Sequence, residues 1–314
     1  MPGADSTTLL AAPPNRWSQY GALSIVAGRL VPLRRPPVLV VSFPRCGSSW
    51  VGEVFGLAPD ALYLREPLTG ALLAPAERGV VFEVDDDHVP PPYAHAVRFV
   101  RAGVPAFPPA IARDARKWSL RARYRRPRLV VKEVNPLALA WFIRQLQPHV
   151  VFLVRHPAAV TLSVHEQGWA FAAFAEQFLP ARQTELRTRT FPRTTWGATA
   201  ALYAESTNVA LSALHATGTR HEVVQYEALC ADPVARFREL YAFAGLTWTD
   251  AVERAVRERA STSPDHGDAY STTRDSARMA DAWRSKIGDA ELADVRAGWE
   301  ACRGPLYGAE TWAR

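Results

Sequence analysis

Three continuous apolar runs, each closed by turn residues and followed by helix-compatible sequence, set the pattern of the chain. VLVV (38–41) passes through SFPRCG into a helical stretch starting near Ser48. PRLVVKEVNPLALAWFIRQL (127–146) and HVVFLVRHPAAVTLSVHEQ (149–167) repeat the order. Short uninterrupted apolar runs of this kind read as buried strands, and strands alternating with helices predict an α/β fold. The expected architecture is a parallel β-sheet flanked by helices on both faces, with ligand sites at the carboxyl ends of the strands. Further along, 199–217 reads as helix, HEVVQYEAL (221–229) as strand-like and DPVARFRELYAFAG (232–245) as helix.

Residues 1–36 are Ala/Pro-rich and form an expected N-terminal extension with one short helix in YGALSIVAGRLV, leaving 37–314 as a single domain. Two stretches inside it, about 68–126 and 168–195, are Pro-rich or irregular and are assigned to acceptor binding, because long structureless insertions in compact domains are usually binding loops or lids.

Composition narrows the class. With 314 residues, 48% hydrophobic and 22% charged, the chain has ample material for a packed core, and disorder is excluded. No apolar run reaches the ~18–20 residues of a membrane span and no secretory signal pattern opens the sequence, so a cytoplasmic protein with no membrane partner is expected. Cys46, Cys230 and Cys302 are odd in number and lack CxxC spacing, which suggests neither a disulfide framework nor zinc. The eight His show no HxxxH or HExxH arrangement, so no metal is expected. The net charge of +6 favours an anionic ligand. The densest basic run, RARYRRPR (121–128), carries no recognition-module signature; it reads as a solvated face, and no nucleic acid partner is expected. Nothing in the sequence fixes the oligomeric state.

The chemistry begins at FPRCGSSW (43–50). A loop between a buried strand and a helix presents backbone N–H groups and the positive end of the helix dipole to whatever sits above it, and Gly47 permits close approach. The loop lacks the first Gly and the Lys of GxxxxGK[ST], so a metal–triphosphate site is not specified and Arg45 has to supply the cation. An ordinary turn capped by Ser48 is the alternative. The second cradle is VVFLVRHPAAVTLS (151–163 plus Val150): Arg155 ends the strand, Pro157 suits the first helical position, and Ser163 follows on the helix. A strand-end Arg in a salt bridge is the competing reading there.

The chain resembles the sulfotransferases that use 3′-phosphoadenosine 5′-phosphosulfate (PAPS). FPRCGSSW is similar to that family's 5′-phosphosulfate loop and VRHPAAVTLS to its 3′-phosphate strand and helix, in the same order and about 110 residues apart. PRLVVKEVNPLAL, VVQYEALCADPVARFRELYAFAGL and STTRDSARMADAWR extend the resemblance over most of 38–286, the latter two toward the carbohydrate branch. The resemblance implies a P-loop-like sulfotransferase fold in which Arg45, Gly47, Ser48 and Ser49 hold the phosphosulfate, Trp50 stacks on adenine, Tyr226 lines the adenine pocket, Arg155 and Ser163 hold the 3′-phosphate, and Arg274 closes over it. It implies PAPS as co-substrate, no metal, and a small-molecule or carbohydrate hydroxyl as acceptor.

Sulfuryl transfer builds negative charge on the departing nucleotide and needs a base beside the acceptor hydroxyl. Arg45 matches the family's loop Lys and Lys132 its strand Lys. Where the cytosolic branch places a His two positions after that Lys, this chain has Val134. Glu66, in YLREPL, and Glu133 are the carboxylates at hand; alternation along the strand turns Glu133 away from Lys132, so Glu66 is the expected base, given a pKa raised by burial or an acceptor whose proton leaves late. Asp85–Asp87 read as a solvated acidic loop, His156 as a packed or solvated side chain, and Cys46, whose thiolate a helix N-terminus would favour, as a small loop residue. Two rival readings are a P-loop nucleotide kinase and a nucleotide-binding homologue without catalysis.

Overall fold

The three strand–helix units are present, and two further strands join them. The computed structural model describes residues 21–72, 80–118, 120–123, 125, 127–169, 174–261 and 280–313. In chain order these contain α1 (Gly21–Leu30), β1 (Val38–Ser42), α2 (Ser48–Leu57), β2 (Ala61–Arg65), α3 (Pro67–Leu72), α4 (Pro91–Ala102), α5 (Leu120–Arg123), β3 (Arg128–Glu133), α6 (Leu139–Leu146), β4 (His149–Val154), α7 (Pro157–Glu166), α8 (Pro180–Arg187), α9 (Thr195–Thr217), β5 (His221–Gln225), α10 (Tyr226–Ala231), α11 (Pro233–Ala244), α12 (Asp250–Ser261) and α13 (Asp289–Ala301).

The five strands form one parallel sheet in the order β2-β3-β1-β4-β5, with Val40 opposite both Lys132 and Val151. Alternation along the strands divides the core in two. Leu39, Val41, Val131 and Phe152 face a layer containing Trp141, Tyr203 and Trp299, whereas Val38, Val40, Val130 and Val151 face one containing Phe55, Phe237 and Tyr241. Central β1 is buried at every position, which is why it reads as an unbroken apolar run; edge strand β5 is only partly buried and keeps polar residues.

Three expectations change. The insertions are not wholly irregular: 68–126 contains the twelve-residue α4, and 168–195 contains α8. Their prolines sit in the first turns, where a missing N–H costs nothing, so Pro marks helix starts here rather than breaks. The strand β2, five residues between Asp60 and Glu66, carries too short a pattern to be read from sequence. Among the described residues the basic run is solvated only in part: Arg125 is exposed, whereas Arg123 and Arg128 are 8% and 5% exposed. Arg123 donates to the carbonyls of Val31 (2.7 Å) and Ala102 (2.8 Å), tying together the chain after α1 and the end of α4. Among the described residues, no helix is long and apolar enough to cross a membrane.

Candidate active site

The site is assembled at the carboxyl ends of β1, β3 and β4. After β1 the loop reverses through Arg45, at φ 71°, and Gly47, at φ 95°. Gly47 is required twice over: its conformation disfavours side chains, and a Cβ there would lie 2.5 and 2.6 Å from ring carbons of Tyr226. Burial alternates along the loop, with Arg45, Gly47 and Ser49 facing outward and Cys46, Ser48 and Trp50 inward. Gly47 precedes α2 with no side-chain cap, and the first N–H groups of any helix have no acceptor within it. Ser48 does not cap the helix; its hydroxyl lies 2.8 Å from that of Ser42, which holds the loop to the strand.

The two expected anion sites are one cluster. Arg45 Nε donates to Ser163 Oγ on α7 (2.9 Å), and Arg155 Nη1 donates to the carbonyl of Arg45 (3.2 Å). The Arg155 guanidinium sits 4.6 Å from the Tyr226 ring centroid, and that of Arg45 is 6.0 Å from Trp169. Trp50 packs edge-on against Phe237 (5.1 Å) and Tyr226 (6.2 Å), and its indole Nε1 is buried without a hydrogen-bond partner.

Around this cluster stand further residues, among them Tyr203, for which the sequence offered no signal. Tyr203, on α9, accepts from the Arg155 N–H and donates to the Arg155 carbonyl, both at 2.9 Å, bracing the end of β4. Glu227 accepts from the His156 N–H (2.8 Å) and from the Tyr307 hydroxyl (2.9 Å). His156 is packed: it stacks on Trp283 at 4.4 Å, and its Nδ1 accepts from the Ala158 N–H at the start of α7. Burial pushes its pKa down to about 3, so the ring is neutral. The favoured thiolate expected at Cys46 is absent: burial pushes that thiol up to about 12, against the smaller opposing pull of Tyr203. Asp86 and Asp87 are exposed, as the sequence suggested, and Asp85 is half-buried; Asp85 accepts from the N–H groups of Asp87 and His88 in a local turn.

At the end of β3, Lys132 is 2% exposed and forms an ion pair and hydrogen bond with Glu66, which is partly exposed. Parallel pairing of Arg65 with Lys132 brings the two together. Burial pulls the Glu66 pKa upward, but Lys132 and then Arg65 outweigh it and hold the carboxyl below its ordinary range, so of the two routes open to a Glu base the raised pKa is not the one found. Glu133 points to the other face, as alternation requires, and is fully buried. Val134, at the position of the family's His, is buried and apolar. Arg274 lies outside the described residues.

With this geometry in place, likeness to known proteins is informative. The model of the sulfotransferase family matches residues 36–250, so the chain belongs to the sulfotransferase family and is a sulfonate-transferring enzyme. Enzymes of this family draw on PAPS. Mouse carbohydrate sulfotransferase 5 is 27% identical over 98% of this chain and 89% of its own length. Rat carbohydrate sulfotransferase 3 is 27% identical over 81% of this chain and 63% of its own length. Among solved structures, the sulfotransferase domain of the Synechococcus PCC 7002 olefin synthase has 18% identity and a TM-score of 0.48, covering 87% of this chain and 95% of that one.

Proposed function

We propose that this enzyme moves a sulfonate group from PAPS to a hydroxyl of a sugar or small sugar-bearing acceptor, with Arg45 and Arg155 as the donor-binding cations, Lys132 as the charge-stabilising cation and Glu66 as the proton acceptor. The observation that carries the reading is the joining of Arg45, Ser163 and Arg155 into one cluster across 110 residues of sequence. A ligand with phosphates at both ends of one nucleoside needs two such cationic points on one surface.

The residues fit the donor on three counts. Gly47 lets the loop pass directly against the Tyr226 ring, α2 begins without a side-chain cap, and Trp50 Nε1 is buried without a hydrogen-bond partner beside Tyr226. In this reading Arg45, Gly47, Ser48 and Ser49 hold the phosphosulfate, Trp50 and Tyr226 line the adenine pocket, and Arg155 and Ser163 hold the 3′-phosphate. When bound, PAPS supplies a sulfonate activated by a phosphate leaving group. Arg45 and the helix N–H groups orient it and offset charge that grows toward the leaving side. Neither guanidinium can lose its proton, so the proton passes elsewhere. Glu66 is ionised at neutral pH and accepts the acceptor's proton late, when the oxygen is already bonding to sulfur; Lys132 holds the carboxylate in place.

The carbohydrate branch of the sequence, Glu66-Pro67 and the AWR segment included, and the names of the relatives favour a sugar acceptor. The test is incubation with PAPS and a panel of methyl hexopyranosides and simple phenols, read by mass spectrometry. Gain of one sulfonate group on a hexopyranoside is expected; sulfation of phenols alone would overturn the acceptor class, and ATP-dependent phosphorylation would overturn the reaction.

A further inference from the structure

Lys132 and Glu133 are neighbours on β3 that serve opposite faces of the sheet, yet both reach the same segment. Lys132 pairs with the side chain of Glu66. Glu133 accepts from the backbone N–H of Leu68 (2.7 Å), the N–H of Thr69 (3.2 Å) and the Thr69 hydroxyl (2.6 Å). These donors belong to the first turn of α3, which starts at Pro67, directly after Glu66. Pro67 has no N–H, so Leu68 and Thr69 are the first backbone donors that turn can offer.

Glu66 itself stands at φ 53°, a left-handed conformation that residues with side chains keep only where the surroundings impose it. It is held from both sides. Its N–H donates to the carbonyl of Lys132 (2.6 Å), and its own carbonyl accepts from Gly70 (2.7 Å), in the turn that Glu133 caps. Glu133 is 0% exposed, and burial pushes its carboxyl up to about 7 against the pull of its Thr69 and Leu68 donors. An apolar side chain would fill this volume at less cost in desolvation, so the carboxylate is kept for the bonds it makes.

We propose that Glu133 is a positioning residue of the transfer centre: by clamping the first turn of α3 it holds Glu66 in the conformation that faces Lys132. The consequence for catalysis rests on the reading of Glu66 as proton acceptor; the clamp itself does not. Glu133→Gln keeps the shape and turns one acceptor oxygen into a donor, while Thr69→Val removes the hydroxyl from the opposite side of the bond and leaves Glu133 untouched.

The experiment titrates the Glu66 carboxyl by NMR in protein labelled with ¹³C at glutamate carboxyls, the signal being assigned by its loss in Glu66→Gln. Wild type should titrate below the ordinary glutamate range, and Thr69→Val, which removes a bond of the clamp but no charge, should move Glu66 upward by at least about half a unit, with Thr69→Ser restoring the wild-type value. Glu133→Gln also removes a like charge near Glu66, which by itself lowers that value, so this variant is read by turnover. Turnover with PAPS and a methyl hexopyranoside should fall about tenfold in Glu133→Gln, with adenosine 3′,5′-bisphosphate affinity within about twofold, and Glu133→Gln should cost nothing further in a Glu66→Gln background. If Glu133→Gln does not fold, Thr69→Val decides. An unmoved Glu66 titration in Thr69→Val, or losses that add in the double variant, would overturn the clamp. A fully active Glu66→Gln would instead retire the proton-acceptor reading and leave the titration to judge the clamp alone.

Discussion

Lys132, near the end of β3, faces a carboxylate, whereas Arg45 and Arg155, just after β1 and β4, face a hydroxyl, a backbone carbonyl and the rings of Tyr226 and Trp169. Both centres lie at the carboxyl edge of the same parallel sheet, on β3 in one case and on β1 and β4 in the other. A lysine–carboxylate pair is neutral as a unit, and its carboxylate can take up a proton. Two guanidiniums cannot give up theirs and present fixed charge in a forked geometry suited to phosphate. The contrast teaches a division of labour: the pair on β3 manages the acceptor's proton, and the arginines hold the donor.

The sharpest way to break the comparison is to neutralise one member of the β3 pair. Glu66→Gln should lower turnover by ~10²–10⁴ and leave adenosine 3′,5′-bisphosphate affinity within about twofold, because the amide keeps the shape but cannot take a proton. A residue that served only to balance Lys132 would give another signature, a lowered melting temperature with turnover that recovers at saturating substrate.

On the arginine side, Arg155→Ala should cost roughly 1.5–3 kcal/mol of bisphosphate binding, the worth of a charge-assisted hydrogen bond, while AMP binding changes little. Calorimetric titration of both nucleotides checks this, and an equal loss for the two would erase the distinction between the centres.

A smaller effect sharpens the comparison from the periphery of the arginine cluster. His156 follows Arg155 and is held neutral by burial, with its pKa pushed down to about 3. The unfolded chain takes up that proton near pH 6.5, so the stability His156 confers is full above about 6.5 and is lost as pH falls toward 3. At pH 5.5 the loss should be about 1 kcal/mol. His156→Asn, which can still accept from the Ala158 N–H, should show a shallower fall in denaturation midpoint between pH 7 and 5.5.

The two centres were unequally legible in the sequence. β1 and β4 are buried on both faces and therefore appear as unbroken apolar runs, and Gly47 and Pro157 mark the turns into their helices, so Arg45, Arg155 and Ser163 could be named from local pattern. The joining of Arg45 to Ser163 could not, since it depends on β1 and β4 lying side by side. Glu66 could be proposed by resemblance and by the exclusion of Glu133, but its contact with Lys132 comes from the register of β2, a strand too short to see. The supports were invisible for the same reason. Tyr203 braces Arg155 from 48 residues away and Glu227 holds His156 from 71, and hydrogen bonds over such distances leave no local periodicity. Prolines misled most in 68–126, where Pro91 and Pro92 open a helix that the number of prolines in the stretch seemed to forbid.

The central claim is that the joined arginine cluster recognises a nucleotide phosphorylated at both ends. The most direct measurement compares the melting shift of the wild-type protein with adenosine 3′,5′-bisphosphate and with AMP at equal concentration. At about 100 times its Kd the bisphosphate should stabilise the fold by about 2.7 kcal/mol, and AMP, lacking the 3′-phosphate that Arg155 and Ser163 are assigned to hold, should give a much smaller shift. Equal shifts from the two nucleotides would contradict the account.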